Sequence, residues 1–394
     1  MILKYSIENF KCFQEKETIN FKAKKISESF DTESYLLLDN DILPIISIYG
    51  PNGGGKTSFI ESISFLKNIA LGSDKVNGMI LHFLKNEKNV LKDIKWEIEF
   101  TSIDKSVYRY VLHYNNAITF ESLFKKNDLI FKKNKDNVEF CKEILESNIK
   151  IENKAKESSM LQFINSILNN EDIAIVIREF KKINYLDSSE DITIKHTNGV
   201  PELDFGDINF IKNKKEIFIK IFIDLDINIH DLEFYEDPFN PNNIKIWSVK
   251  KSSFGSVFRI PFFEESKGTM KLLHLMTYFI KGLINKESFI IDELDSALHT
   301  KLLKYIIKLF NSKEMNKESQ LIYTSHDMPT LNKENFRRDQ IYFCAINESY
   351  FSNIISLKDI GARNDDKYYK KYLEGKYGYD PYIDYSIKAF DGKK

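Results

Sequence analysis

Cysteine is scarce in this sequence. Cys12, Cys141 and Cys344 are the only three, they lie far apart, and no C-x-x-C joins two of them. That spacing excludes a zinc ribbon and a disulfide framework, and leaves three ordinary buried or half-buried thiols. A charge imbalance is also lacking. Lys and Arg number 57 against 58 Asp and Glu, so the whole chain is not marked as a nucleic-acid or membrane binder, and DNA contact would need a local patch. No apolar run approaches the length of a membrane span, and the opening MILKYSIENF does not read as a signal peptide. The expectation is a cytoplasmic protein without membrane contact. No internal repeat and no sustained heptad pattern is present, which speaks against a long coiled-coil arm. What remains is a chain of 394 residues, 42% apolar and 29% charged, long enough for two or three domain-sized units and a large core.

One stretch carries chemistry. ISIYGPNGGGKTSFIES, from Ile46 to Ser62, fits G-x-x-x-x-G-K-T with Gly50, Gly55, Lys56 and Thr57 at the defining positions. Asn52, Gly53 and Gly54 lie within the loop and Ser58 follows it. The apolar IISIY ahead of the motif predicts a buried strand, and TSFIESISFLKNIA behind it predicts a helix, the context such a phosphate loop requires. Glycines let backbone N–H groups turn onto phosphate oxygens, and the helix N-terminus adds its positive end. Lys56 is expected to reach the β- and γ-phosphates, and Thr57 to offer a hydroxyl to Mg²⁺. A bare Gly-rich turn meeting all four positions in this context would be rare.

Along the rest of the chain, residues 1–21 alternate and predict two strands. VLKDIKWEIEF and the segments after it predict an antiparallel meander. From about residue 138 the pattern becomes helical, through CKEILESNIKIENKAKESSMLQFINSILNN and EDIAIVIREFKKIN, and its Lys/Glu runs read most simply as solvated faces. A helix at KNKKEIFIKIFIDL, strands at INIHDLEFY, NIKIWSV and SVFRIPFF, and then alternating helices and buried strands complete the chain.

Two downstream strands complete the candidate site. SFIIDELDSALH is a buried strand ending in Asp292 and Glu293. Asp292 is placed to hold Mg²⁺, which favours few carboxylates and several waters, and Glu293 to act on the attacking water as general base. QLIYTSHD is a second buried strand ending at Ser325 and His326, at the edge where such sheets bind ligands. A neutral His326 can hydrogen-bond the γ-phosphate or the lytic water. Before the acidic strand, EESKGTMKLLHLMTYFIKGLI predicts a helix with one apolar stripe, Leu272, Leu275, Met276, Phe279, Ile280 and Leu283. Ser266 stands near its start and Gly268 allows close backbone approach; alone, this is simply a capped helix.

Taken together these segments resemble an ABC-class ATPase head of the type found in RecF, SMC proteins and OLD-family nucleases. IENFKCF resembles the opening strand and turn, ESKGT the signature motif (with Lys267 where better-known signatures carry glycine), DELDSALH the Walker B and D-loop, and TSHD the switch histidine. RRDQIYF at 337–343 and KKYLEGKYGYDP at 370–381 extend the resemblance to bacterial ABC ATPases of phage-defence loci, the group of AbiLi, RloA and the PARIS ATPase AriA. The resemblance implies an α/β P-loop NTPase fold. It would be an ABC-type ATPase head with a mixed sheet, an antiparallel β subdomain and a helical insertion, divided as 1–137, 138–212 and 213–394. It implies ATP with Mg²⁺, and the chain has no N/TKxD motif of the kind that reads guanine. It implies a homo-oligomer, at least a head-to-head dimer, in which Ser266 of one copy completes the site of another.

The same resemblance implies an effector encoded nearby, a TOPRIM-like nuclease, controlled in anti-phage defence. A nuclease domain within this chain is not expected, since too few residues follow His326 for a fold of roughly a hundred. The D-x-D of Asp224 and Asp226 reads as a turn. The alternatives are a RecF- or SMC-like repair head and an ATP-dependent scaffold that does not hydrolyse. None of Gln14, Gln162, Gln320 and Gln340 sits as a Q-loop glutamine.

Overall fold

The computed structural model of the chain describes residues 1–24, 37–39, 41–72, 92–102, 104–134, 137–141, 144, 159–187, 196–197, 200–201, 203–237, 240–296, 298–347, 349–363 and 366–379. They form two compact units, Met1–Leu186 with Glu287–Lys394, and Asp187–Lys286.

The first unit begins with β1 (Ile2–Glu8) and β2 (Glu17–Asn20), then β3 (Ile45–Tyr49) and α1 (Lys56–Ala70). The meander follows as β4 (Ile94–Thr101), β5 (Val107–Tyr114), β6 (Ile118–Lys125), β7 (Asp128–Asn134) and β8 (Asn137–Phe140), then α2 (Met160–Ile167), α3 (Glu171–Lys181) and β9 (Ile183–Asp187). After the second unit the chain returns through β15 (Ser288–Asp292), α7 (Thr300–Phe310), β16 (Gln320–Thr324), β17 (Ile341–Ile346), β18 (Ser352–Ser356) and α8 (Tyr368–Leu373). Two sheets result. One is antiparallel, in the order β2-β1-β4-β5-β6-β7-β8; the other is mixed, in the order β18-β17-β3-β16-β15-β9.

Burial explains the difference between them. Along β3, β15 and β16 every residue is buried, because both faces of the mixed sheet are covered, so these strands read as short, mostly apolar runs without alternation. β4 alternates buried and half-buried residues because only one of its faces meets the core. Phe59 of α1 packs edge-on against Tyr5 and Phe13, with ring centroids 5.6 Å apart in each pair, which ties the helix to the antiparallel sheet. The buried Gln320 amide closes on the backbone of Ile2, accepting from its N–H at 2.6 Å and donating to its carbonyl at 2.9 Å. Gln320 is therefore a strap between the sheets.

The expected helical insertion at 138–212 does not coincide with a unit. Its first residues extend the antiparallel sheet as β8, because Asn137–Phe140 pairs with β7. α2 and α3 belong to the first unit. The fully buried Glu121 carboxylate of β6 accepts from the N–H groups of Met160 (2.7 Å) and Leu161 (2.9 Å) at the start of α2, while Phe180 of α3 packs edge-on on Phe100 and Tyr110. The helical reading of 142–143 and 145–158 lies outside the described residues.

The second unit runs through β10 (His196–Thr197), β11 (Val200–Pro201), α4 (Phe205–Asn213), α5 (Lys215–Asp224), β12 (Asp231–Asp237), β13 (Asn240–Lys251), β14 (Val257–Pro261) and α6 (Lys267–Asn285). β12, β13 and β14 form an antiparallel sheet. The predicted stripe of α6 is buried in full. Asp224 closes α5 and Asp226 takes a φ of 58° in the turn after it, as the D-x-D reading expected.

Candidate functional site

Three parallel strand ends deliver the site. β3 pairs with β16, Ile48 opposite Thr324, and β16 pairs with β15, Tyr323 opposite Ile291. The C-terminal edges of the three strands therefore lie side by side, where open α/β sheets bind their ligands.

The phosphate loop that follows β3 is closely backed. A Cβ on Gly50 would stand 1.9 Å from the carbonyl oxygen of Cys344, and one on Gly54 would stand 2.7 Å from the same atom. On Gly55 it would meet Ser352 Oγ at 2.6 Å and Cys12 Sγ at 2.9 Å. Gly55 is also the N-cap of α1 at φ 105°, a conformation that favours glycine. Asn52 and Gly53 lie exposed on the crest of the loop. No side chain caps α1 and no acid stands in its first turn, so its leading N–H groups are left to an anion. Lys56, only 6% exposed, donates to the carbonyls of Gly50 (2.9 Å) and Pro51 (3.0 Å), which holds its ammonium back over the loop. Thr57 is exposed and Ser58 half-buried.

At the neighbouring strand end, Asp292 is buried and its Oδ1 accepts from the Thr324 hydroxyl. The same hydroxyl oxygen accepts from the Glu293 N–H at 2.7 Å. Glu293 takes a φ of 47°, a left-handed conformation that costs a residue with a Cβ about 1–3 kcal/mol and persists where the surroundings enforce it. Such strain gathers at functional sites. Next along, Asp295 Oδ2 accepts from the His326 N–H at 3.0 Å, while its Oδ1 is buried without a hydrogen-bond partner. The turn after His326 is fixed by Asp327, which accepts from the Thr300 hydroxyl at 2.5 Å and from the Thr330 N–H at 2.9 Å.

These groups feel one another. Burial pushes the Lys56 pKa down, while the carboxylates of Asp292, Glu293 and Asp295 pull it back up. Partial burial and the Lys56 ammonium press His326 below the ordinary imidazole value, against the same three carboxylates. The structure thus brings Lys56, Asp292, Glu293 and His326 to one edge. Among the described residues no group of three or more His, Cys, Asp or Glu is arranged to hold a metal. The donors on offer are one buried carboxylate, Asp292, and the Thr57 hydroxyl, a sparse oxygen set that fits Mg²⁺ and not zinc.

Ser266 and Gly268 belong to the second unit. Ser266 N-caps α6, its hydroxyl accepting from the Thr269 N–H at 3.1 Å. Glu265, just ahead, is anchored to β13 by the Ser248 hydroxyl (2.5 Å) and the Lys250 ammonium (2.8 Å). Ser266, Lys267 and Gly268 are exposed. A Cβ at Gly268 would meet only Ser266 Oγ, at an ordinary 3.8 Å, so crowding does not dictate glycine there.

Three participants escaped the sequence reading. Asp295 and Thr324 stand inside DELDSALH and QLIYTSHD, so their place beside the site residues was a usable signal. The Cys344 carbonyl that backs Gly50 and Gly54 had none, because the contact is long-range.

Residues 45–332 match the family described as "AAA domain, putative AbiEii toxin, Type IV TA system". No curated protein matches the chain. Similar solved structures include the SMC head domain from Thermotoga maritima, at 14% identity over 90% of this chain and 98% of that one, TM-score 0.44. The Smc head domain with a coiled coil and joint derived from Pyrococcus yayanosii is 13% identical over 95% and 99%, TM-score 0.46. The recombination mediator RecF with ATP is 14% identical over 83% and 94%, TM-score 0.35. With well over half of its length inside the family match, and a phosphate loop and acidic strand end on one mixed sheet, the chain belongs to this AAA-domain family and has an α/β P-loop ATPase fold.

Proposed function

We propose that the chain binds and hydrolyses ATP, assembles with it, and uses the assembly to control a separate effector in anti-phage defence. The observation that carries the catalytic part is the convergence of Lys56, Asp292 and Glu293 on adjoining ends of parallel strands. The loop N–H groups, the N-terminus of α1 and Lys56 hold the triphosphate. Thr57 and Asp292 hold Mg²⁺, which when bound offsets charge on the phosphates. Glu293, at the strained corner after β15, takes the proton of the attacking water. His326 stays neutral and orients that water or the γ-phosphate.

Ser266, exposed at the N-terminus of α6, reaches the nucleotide held by a second copy, so turnover requires association. No helix among the described residues is long and apolar enough to cross a membrane. The toxin and toxin–antitoxin wording of the family description supports a defence setting. We assign the effector to a neighbouring gene and to the TOPRIM-like nucleases. Purified chain should release phosphate from Mg²⁺-ATP, and Asp292→Ala should abolish release. Co-expression with the neighbouring gene product, followed by pull-down with and without ATP, tests the partner. Phage protection by the ATPase alone would overturn the two-component reading.

A further inference from the structure

Two thiols stand against the phosphate loop, and the mechanism above uses neither. Cys344 is fully buried and its thiol already donates to the Gly54 carbonyl at 3.3 Å. Cys12 is half-buried, and its sulfur would stand only 2.9 Å from a Cβ on Gly55. Its backbone carbonyl accepts from the Ser352 N–H at 2.8 Å, which fixes Cys12 beside β18. Ser352 is 0% exposed, its hydroxyl has no hydrogen-bond partner, and that hydroxyl crowds the same point beside Gly55 as the Cys12 sulfur. An orphaned buried hydroxyl next to a reachable thiol is a place where an added oxygen would find a donor. Such a hydroxyl is costly to bury.

We propose that Cys12 is an oxidation site whose modification closes the phosphate loop to nucleotide; this rests on the nucleotide reading of that loop. The step is oxidation by hydrogen peroxide. The sulfur attacks one peroxide oxygen, the S–O bond forms as the O–O bond breaks, and the departing hydroxide takes the thiol proton and leaves as water. Sulfur is oxidised to the sulfenic acid and the peroxide is reduced. The new oxygen accepts from the Ser352 hydroxyl. It also enters space that Gly55 keeps clear only by lacking a side chain. Gly55 must then move. As the N-cap of α1, it takes the first N–H groups of the helix off the phosphates. Burial bars the same reaction at Cys344. Cys141 is half-buried, but its backbone pairs with Ile130 of β7 in the other sheet.

The test titrates the full chain with hydrogen peroxide, follows Cys12 by intact mass and sulfenic-acid trapping, and measures ATP affinity by calorimetry. The expected result is a loss of about tenfold or more in affinity that tracks Cys12 oxidation and reverses with dithiothreitol. Cys12→Ser, or Cys12→Ala should the serine variant fold poorly, should bind ATP normally and ignore peroxide. An oxidised Cys12 with unchanged affinity, or equal loss in the Cys12 variants, would overturn the proposal. Untreated wild-type chain that fails to bind ATP would instead sink the nucleotide reading itself.

Discussion

Lys56 shows how a single side chain can be committed before any ligand arrives. Burial works against its charge, the carboxylates at the strand ends support it, and two loop carbonyls fix its place. Lys56→Ala removes a charge-assisted contact to the phosphates, and ATP affinity should fall by about two orders of magnitude in calorimetry. His326 carries a pH prediction. Its pKa lies below the ordinary 6.5, so it is neutral at pH 7 and gains its proton only as the pH drops further. Hydrolysis should hold steady from pH 8 to about 6.5 and then decline, and His326→Gln, which cannot gain the charge, should lack that decline. A decline already centred above pH 7 would contradict the assignment.

At the scale of elements, strand β2 reaches the mixed sheet through Glu17, whose Oε2 accepts from the Ile354 N–H of β18 at 3.0 Å. Burial, aided by the nearby Glu15 charge, raises the Glu17 pKa from 4.5 to about 7 in spite of that bond. Below pH 4.5 the carboxyl is protonated in folded and unfolded chains alike. Between 4.5 and about 7 the unfolded chain ionises first, so stability is lost through that window. Glu17→Gln should therefore raise Tm at pH 8 and leave it unchanged near pH 4. The elements also show what sequence could reveal. β3, β15 and β16 were legible as short, mostly apolar runs, and α6 by its stripe. α4 was missed because it buries only Ile211, although Asp204, accepting from the Asp207 N–H at 2.6 Å, is an N-cap signal. β9 was missed because five residues directly after α3 become a strand only by flanking β15, a long-range choice that local pattern does not encode. The Cys344 carbonyl behind Gly50 is hidden for the same reason.

For the whole molecule, the account requires that a site be shared. Ser266 and the phosphate loop belong to different compact units, and the proposed function joins them across two copies. Lys56→Ala and Ser266→Arg should each be inactive alone. Mixed and exchanged, they should recover ATPase activity, because one dimer site then pairs the loop of the Ser266 variant with the signature segment of the Lys56 variant. To switch an assembly from 1:99 to 99:1, ATP must favour it by ~5.5 kcal/mol, a magnitude that γ-phosphate contacts from two copies can supply. The central claim is that this edge of the sheet is a hydrolytic ATP site, and Glu293→Gln probes it most directly. Calorimetry and phosphate release on that variant should give wild-type ATP affinity with turnover reduced by about 10²–10⁴-fold. Turnover at the wild-type rate would contradict the account.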